Sequence, residues 1–418
     1  MSDNEIELKF LGGAEEVGRL GMLYKQGKTR FLFDYGISPT DPPKYPQASP
    51  NVDAVFLTHA HLDHSGLLAQ HAGNYQNLIY TTPPTMEMAN LLARDSLKIA
   101  EYEGYPKRFD QEDLMLMDQA FMPLSYGEEV EPGDDGVTVS PASAGHIPGS
   151  SMFRVQGKEK TTVFSGDINT IDTNLVKKAK PPNCDTLIME STYAGRDHSP
   201  RASIEKDFLA SVEEVISRGG RVIVPAFAVG RSQEVLMLLA DSGHEIWLDG
   251  MGIKVARIFQ QHGGFLANKE KYQRAFKKAR VVRNPFDRRK AVNGDVIITT
   301  SGMLDGGPVL YYLNQFLKDD NSALFLTGYQ VEDTNGRRLL DTGKILVNGA
   351  EMEPKLEKKF FDFSAHAGHK ELKEFAKASA PENLVLMHGD NRELLGKELE
   401  EEDGFKVHYP MTGEALKL

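Results

Sequence analysis

The chain has 418 residues, 60 acidic against 48 basic side chains and a formal net charge of −12, with apolar and charged fractions ordinary for a globular protein. Its length favours two domains over one, and its acidic balance excludes a globally basic nucleic-acid binder while leaving room for a local basic groove. No apolar run is long enough to span a bilayer, the start "MSDNEIELKF" lacks a signal-peptide pattern, and the single cysteine, Cys184, excludes an internal disulfide framework and a thiolate zinc site. These features fit a cytoplasmic protein with no membrane partner.

In chain order, "IELKFLGG", "GMLYKQG", "TRFLFDYG" and "VDAVFLTHAH" read as four strands, the last ending on histidines. A helix follows over "TMEMANLLARDSLKIAEYEG", then strands in "VTVSPASAGH", "TTVFSGD" and "CDTLIMEST", each ending on polar residues. Polar residues just past rigid apolar strands are how a sheet presents chemistry at its rim. Around Gly195 the pattern changes. "SIEKDFLASVEEVISRGG", "RVIVPAFAVGRSQEVLMLLADSG" and "HEIWLDG" alternate helix and buried strand, a parallel α/β layout continuing through "GDVIITTSG" and "NSALFLTGYQ". From about Phe361, strand-then-polar units return in "FDFSAHAGH" and "NLVLMHGDN". With no repeat and no low-complexity linker, the expected organisation is one domain, 1–195 plus 361–418, interrupted by an inserted domain, 196–360.

The stretch "LTHAHLDHSG" gathers His59, His61, Asp63 and His64, in a chain that holds only 12 histidines. Crowded imidazoles need partners, and each is a candidate metal ligand. In an extended loop His59 and His61 face one side, while Asp63 and His64 reach a second point; that makes two half-built sites. His146 in "SAGHIPGS", Asp167 in "FSGDIN" and His388 in "LMHGD" stand at strand ends and complete them. The simplest assignment places His59, His61 and His146 on one metal and Asp63, His64 and His388 on a second, with Asp167 bridging. Imidazole and carboxylate without thiolate suit zinc better than manganese or iron, so two Zn2+ per chain are expected. A lone histidine is more often a hydrogen-bonded core or loop residue, and for His146 and His388 the strand-end position is the only signal. The H-x-H-x-D-H spacing directly after a strand is far more specific.

Residues 269–290, "KEKYQRAFKKARVVRNPFDRRK", carry ten Lys or Arg against two acids, which leaves the remainder of the chain at −20. Such a stripe suits a phosphate backbone, with Arg280 and Arg283 central to it and Tyr272, Phe276 and Phe286 as stacking faces. A solvated helix face with core aromatics is the competing explanation. "TTSGMLDGG", which contains Ser301, and "GYQVEDTNGRR" have the look of backbone nests for phosphates. Arg231 and Arg337, each directly after a glycine, are better phosphate contacts than the scattered lysines.

Taken together, "THAHLDHSG", "GHIPGS" and "SGD" resemble the metallo-β-lactamase superfamily. "MESTYAGRDH", "PAFAVGRSQEVL", "TTSGMLDGGP", "GYQVEDTNGRR", "FSAHAGHKEL" and "LMHGD" resemble its β-CASP nuclease branch, most closely the archaeal cleavage-and-polyadenylation-specificity-factor group in its short form without KH domains. The resemblance covers nearly the whole chain, with the motifs in family order. It implies an α/β fold: a metallo-β-lactamase αββα sandwich with an inserted parallel α/β β-CASP domain. It supports the ligand assignment and adds Asp34 in "FLFDYG" as a support behind the ligands and Glu190 with His366 as an acid–base pair; Asp63, Glu190 and His366 are then the catalytic residues. Gly21 stands where relatives often carry Cys or Ser, which does not touch the metal site.

The implied activity is a zinc-dependent ribonuclease that hydrolyses single-stranded RNA internally, from the 5′ end, or both, in 3′-end processing, maturation or decay. Hydrolysis by water leaves a 5′-phosphate and a 3′-hydroxyl. For an enzyme of DNA ends the last ligand position is typically apolar, and His388 argues against it. A catalytically silent subunit loses ligands, and none is missing here. A small-molecule hydrolase leaves the insertion unexplained. A homodimer and a larger RNA-processing assembly are compatible with the chain, though no sequence feature points to either.

Overall fold

The computed structural model describes residues 5–133, 135–347 and 349–418. Two compact units emerge: Met1–Asp172, Lys177–Asp197 and Ala365–Leu418 form one, and Thr173–Val176 with His198–Ser364 form the other.

The first unit is built on two sheets. One runs in the order Ala415–Lys417, Ile6–Gly12, Gly21–Gln26, Thr29–Phe33, Ala54–Phe56, Ile79–Thr81 and Phe121–Pro123, antiparallel on one side and parallel from Thr29–Phe33 onward. The other runs Val407–His408, Asn383–Met387, Thr186–Glu190, Thr161–Phe164, Ser151–Gln156 and Thr138–Ser143. Their facing sides share one apolar layer, in which Phe33 meets Phe164 at 5.0 Å and Phe56 meets Phe153 at 5.2 Å between ring centres. Leu187, Met189, Leu384 and Leu386 point the other way, onto Leu372 and Phe375 of helix His369–Ser379 and Leu395 and Leu399 of helix Arg392–Asp403. Strands such as Ala54–Phe56 and Thr186–Glu190 are buried throughout, as strands covered on both faces must be. The result is an αββα sandwich.

Behind the histidine-rich loop, helix Leu68–Tyr75 contributes a fully buried His71. Its Nδ1 accepts from the Ser49 hydroxyl at 2.8 Å and its Nε2–H donates to Asn77 Oδ1 at 3.0 Å, so the neutral ring is satisfied at both ends. Burial pushes this imidazole down to about 4. The unfolded chain therefore binds a proton near pH 6.5 that the folded chain refuses until about pH 4. The stabilisation is complete above pH 6.5 and is lost as pH falls toward 4, by up to roughly 3 kcal/mol. His71→Gln should flatten the fall in stability over that window by about this amount, measured by urea titration at several pH values. An unchanged pH slope would show that His71 is protonated in both states or in neither.

The second unit holds one parallel sheet in the order Arg280–Val281, Ile246–Asp249, Val296–Thr299, Val222–Pro225, Ala323–Leu326 and Glu357–Phe360. Its central strands, "IWLD", "VIIT", "VIVP" and "ALFL", are buried at every residue, which explains why they read as continuous apolar runs. The segment "FDFSAHAGH", expected to begin a strand of the first domain, is not a strand. Phe361 and Phe363 both pack around Phe208 in the second unit, at 5.1 and 5.3 Å, and this aromatic cluster, not a sheet face, produced the alternation. No helix of the described residues is long and apolar enough to cross a membrane.

Candidate metal centre

Strand Ala54–Phe56 delivers the chain to Thr58 and His59, and the extended backbone ends at His61 (φ −57°, ψ 148°), which opens the helical turn Leu62–Ser65. This change of backbone sends His59 and His61 one way and Asp63 and His64 another. The turn is clamped from behind: Leu20 N donates to Asp63 O at 2.8 Å, Tyr35 N to His64 O at 2.7 Å and Ile37 N to Leu62 O at 2.8 Å. Only glycine fits in the middle of this clamp, because a Cβ on Gly36 would lie 1.7 Å from the Asp63 carbonyl oxygen.

The structure brings all seven expected ligands together within the first unit. His59 Nε2 and His146 Nε2 each lie 3.1 Å from His61 Nδ1. Their far nitrogens are already engaged, His59 Nδ1 with the Thr58 hydroxyl at 3.1 Å and His146 Nδ1 with the Ala365 carbonyl at 2.8 Å. Donating outward, these two rings turn lone pairs inward, and His61 can give at most one of them a hydrogen. Burial drives all three imidazoles down, His59 and His146 well below the usual range, which keeps them neutral and able to ligate.

The second group is His64, Asp63 and His388. His64 Nδ1 donates to Asp34 Oδ2 at 2.7 Å, and Asp34 is locked by the Thr58 amide and hydroxyl, both at 2.8 Å. His64 Nε2 then faces Asp167 Oδ1 at 3.3 Å and Asp63 Oδ2 at 3.9 Å, while His388 Nε2 lies 3.7 Å from Asp63 and 3.9 Å from Asp167. Asp167 divides its oxygens: Oδ1 serves this group, and Oδ2 lies 3.5 Å from His59 and 3.9 Å from His146. Burial opposes the charge on Asp167, yet His64 and His59 outweigh it and hold the carboxyl well below the usual carboxylate range. Likewise burial works against a proton on His64, and the carboxylates of Asp167, Asp63 and Asp34 prevail and hold it well above 6.5.

These residues fit a pair of cations. Among the described residues both His388 ring nitrogens are buried with no hydrogen-bond partner, and so are His64 Nε2 and Asp167 Oδ1 apart from their own 3.3 Å approach, a costly state for polar atoms that are not ligands. The donor atoms of His59, His61, His146 and Asp167, and those of His64, Asp167 and His388, each lie within 4.8 Å of one another. Cys184 is buried in the apolar layer of the second sheet, where burial pushes its thiol up to about 12. It contributes no thiolate.

Beside the centre, Glu190 is fully buried at the end of its strand. Its Oε1 accepts from Ile168 N at 2.8 Å and from His366 Nδ1 at 3.1 Å, and its Oε2 accepts from Thr192 N at 3.1 Å. Glu190 therefore both caps the turn that follows its strand and holds His366. Burial works against the charged form of His366, but the Glu190 and Asp167 carboxylates overcome it and raise the imidazole to about 9. His366 and Asp63 keep 20% and 24% of their side chains exposed, so the centre opens on their side. His369 is occupied elsewhere: Nδ1 accepts from Gly195 N at 2.9 Å and Nε2 donates to Glu398 at 3.0 Å. The braces from Thr58 and the Ala365 carbonyl were not legible beforehand. A hydroxyl beside a histidine is weak evidence, and a carbonyl far along the chain leaves none.

The expected phosphate contacts all lie in the second unit. Arg231, Ser301 and Arg283 follow strands Val222–Pro225, Val296–Thr299 and Arg280–Val281, on the carboxyl rim of one parallel sheet where such folds bind ligands. Arg283 pairs with Asp287 at 3.0 Å, Arg280 lies 3.5 Å from Glu245, and Arg337 is bonded to Asp341 at 2.8 Å. Tyr272 is no stacking face; it is fully buried and donates to the Ala256 carbonyl at 2.9 Å. Phe286 is 55% exposed, with Lys290 Nζ 4.3 Å from its ring centre.

Comparison with known proteins finds three family domains along the chain, the last of which begins within the second unit. The Metallo-beta-lactamase superfamily domain matches residues 23–189, the Beta-Casp domain residues 232–339, and the Zn-dependent metallo-hydrolase RNA specificity domain residues 351–410. The "Probable RNase MJ4" of Methanocaldococcus jannaschii is 36% identical over 99% of this chain and 100% of its own length. The "RNase aCSPSF2" of Saccharolobus solfataricus is 36% identical over 98% of this chain and 85% of its own, and the "Transcription termination factor FttA" of M. jannaschii is 31% identical over 94% and 68%. A crystallised protein of unknown function from Enterococcus faecalis V583 shares the fold, with a TM-score of 0.64 over 99% of this chain and 100% of that one at 15% identity. The chain belongs to the β-CASP branch of the metallo-β-lactamase superfamily, among its archaeal cleavage-and-polyadenylation-specificity-factor-like members.

Proposed function

We propose that the protein is a two-zinc ribonuclease that hydrolyses phosphodiester bonds of single-stranded RNA, as an endonuclease, a 5′–3′ exonuclease or both, in RNA 3′-end processing, maturation or decay. The observation that carries this reading is the division of Asp167 between two histidine groups, with His366 and Glu190 alongside. His59, His61 and His146 would hold one zinc, Asp63, His64 and His388 the other, and Asp167 both. When bound, the ions supply Lewis acidity toward a phosphate oxygen and a water acidified to near neutral pH. The chain's own residues do the rest. Thr58, Asp34 and the Ala365 carbonyl fix the tautomers of His59, His64 and His146. Glu190 holds the Nδ1–H of His366, which leaves the Nε2 proton for the departing oxygen. A water attack then leaves a 5′-phosphate and a 3′-hydroxyl.

The test is purified protein with 5′-labelled and 3′-labelled single-stranded RNA, with and without a chelator. Fragments bearing 5′-phosphates, abolished by the chelator and restored by zinc, are expected; ladders indicate endonuclease and mononucleotides from one label exonuclease. Cleavage indifferent to chelation, or confined to duplex DNA, would sink the reading. The single buried thiol agrees with a cytoplasmic setting, and similarity to a relative named as a transcription termination factor agrees with work inside a larger assembly. A homodimer is a further arrangement that the proposal accommodates.

The substrate is held, on this reading, by the sheet rim and basic stripe of the second unit, with Arg231, Ser301, Arg337, Arg280 and Arg283 on phosphates and Phe286 under a base. Arg280 and Arg283 keep 59% and 72% of their side chains exposed despite their acidic neighbours, so both remain reachable. Arg280→Glu with Arg283→Glu should weaken RNA binding, reduce the slope of log affinity against log salt by about 1.4, and leave zinc content alone. Phe286→Ala should cost about 1–3 kcal/mol with no change in that slope. Unchanged affinity and slope in the double variant would reduce the stripe to a solvated face.

A further inference from the structure

We infer that Arg392 is a positioning residue for His388, fixing the backbone from which that imidazole enters the metal centre; this rests on the ligand set proposed above. His59, His64 and His146 are each aimed by a partner on the ring nitrogen that faces away from the centre. Among the described residues His388 has no such brace, since both its ring nitrogens are buried without a hydrogen-bond partner. Its direction therefore comes from its main chain. That main chain is in the left-handed region, at φ 51°, a conformation that costs a non-glycine residue free energy and persists only where the surroundings enforce it.

The enforcement is visible. His388 N donates to Gly13 O at 3.0 Å, the Ser191 hydroxyl to Met387 O at 2.6 Å, and the Thr192 hydroxyl to His388 O at 3.2 Å. Arg392 lies beneath this turn, 1% exposed, in the first turn of its helix. Its Nη1 reaches the carbonyls of Ala14 at 2.9 Å, Leu386 at 3.3 Å and Pro410 at 2.6 Å. One nitrogen thus ties the strand that ends at His388 to the Gly13–Ala14 turn that receives the His388 amide, and both to the segment leading into the last strand. Nε donates to Glu393, which is 52% exposed, and Nη2 lies 3.7 Å from Met411 Sδ. Burying a guanidinium is expensive, and an apolar side chain would fill this space at lower cost. What a methionine or leucine cannot do is donate to the two sides of the His388 turn at once.

The experiment is stepwise zinc titration of metal-free protein by calorimetry, with thermal melting of the same metal-free samples. Wild type, His388→Ala, Arg392→Met, Arg392→Lys and Glu393→Gln are compared. Wild type should show two binding steps, and His388→Ala identifies the step that His388 serves. Arg392→Met should weaken that step by about 10–100-fold and leave the other unchanged, the size of effect expected when a partner behind a ligand is lost. Arg392→Lys, which keeps a donor but not the planar fork, should recover part of the loss, and it carries the comparison if the methionine variant does not fold. Glu393→Gln should bind as wild type. Equal weakening of both steps, or a lower melting temperature with neither step changed, would overturn the inference and make Arg392 a general fastener of the last strand. A single step in wild type would instead overturn the two-zinc reading itself.

Discussion

On the proposed two-zinc reading, Asp167→Ala is expected to empty both metal positions and abolish cleavage, whereas His59→Ala and His388→Ala should each remove a ligand from only one. The difference follows from the geometry. Asp167 Oδ2 faces His59 and His146, and Oδ1 faces His64 and His388, so this one carboxylate reaches both groups. Asp63→Ala belongs with His388→Ala, since its carboxylate lies between His64 and His388. In each variant metal and activity should fall together, by more than the roughly 100-fold that marks the loss of a partner behind a ligand. Folding should survive, because the apolar layer between the sheets does not include these side chains. Zinc content of the purified variants, set beside circular dichroism, makes the check. Two metals and full activity in His388→Ala would remove His388 from the ligand set and reopen the reading as an enzyme of DNA ends.

The ligand cluster was legible because its chemistry is local: four of the residues fall within six positions after a strand, and strand-end histidines and aspartates supply the others. The different directions taken by His59 with His61 and by Asp63 with His64 also follow from local backbone, since the chain turns from extended to helical at His61. The parallel sheet of the second unit was legible for a similar reason, being built of short runs buried on both faces. What stayed hidden depends on distant partners. Thr173–Val176 reads as part of the first domain, yet it belongs to the second unit, where the Glu234 carboxylate takes the amides of Asn174 at 3.1 Å and Leu175 at 2.8 Å. Tyr272 sits amid ten cations and still points into the core, because the helix Lys269–Lys278 is amphipathic and Tyr272 lies on the same face as Ala275. Charge in a segment does not reveal which face each aromatic takes, nor which arginine finds a carboxylate.

His366→Ala should keep both metals and bind RNA nearly normally, yet cleave about two to four orders of magnitude more slowly. The geometry separates this residue from the ligands. Its Nδ1 is engaged by Glu190 at 3.1 Å, its Nε2 stands 3.9 Å from Asp167 Oδ2, and a fifth of its side chain remains exposed on the open side of the centre. His146 and His388 stand at the same 3.9 Å from Asp167 but keep only 3% and 0% of their side chains exposed, so depth and the Glu190 bond set His366 apart. A group in this place can instead give a proton to the oxygen that departs when the phosphodiester opens, and Glu190 both aims the ring and stabilises its charged form. Without His366 the attack on phosphorus proceeds, but the oxygen must leave as an anion. The defect should therefore shrink markedly on a nitrophenyl phosphodiester, whose leaving group needs no proton. Glu190→Gln keeps an oxygen for Ile168 N and removes the charge, so it should show the same dependence on leaving group in milder form. Loss of zinc in His366→Ala would make the residue a ligand. An equal defect on RNA and on the activated diester would show that His366 positions the phosphate and transfers no proton.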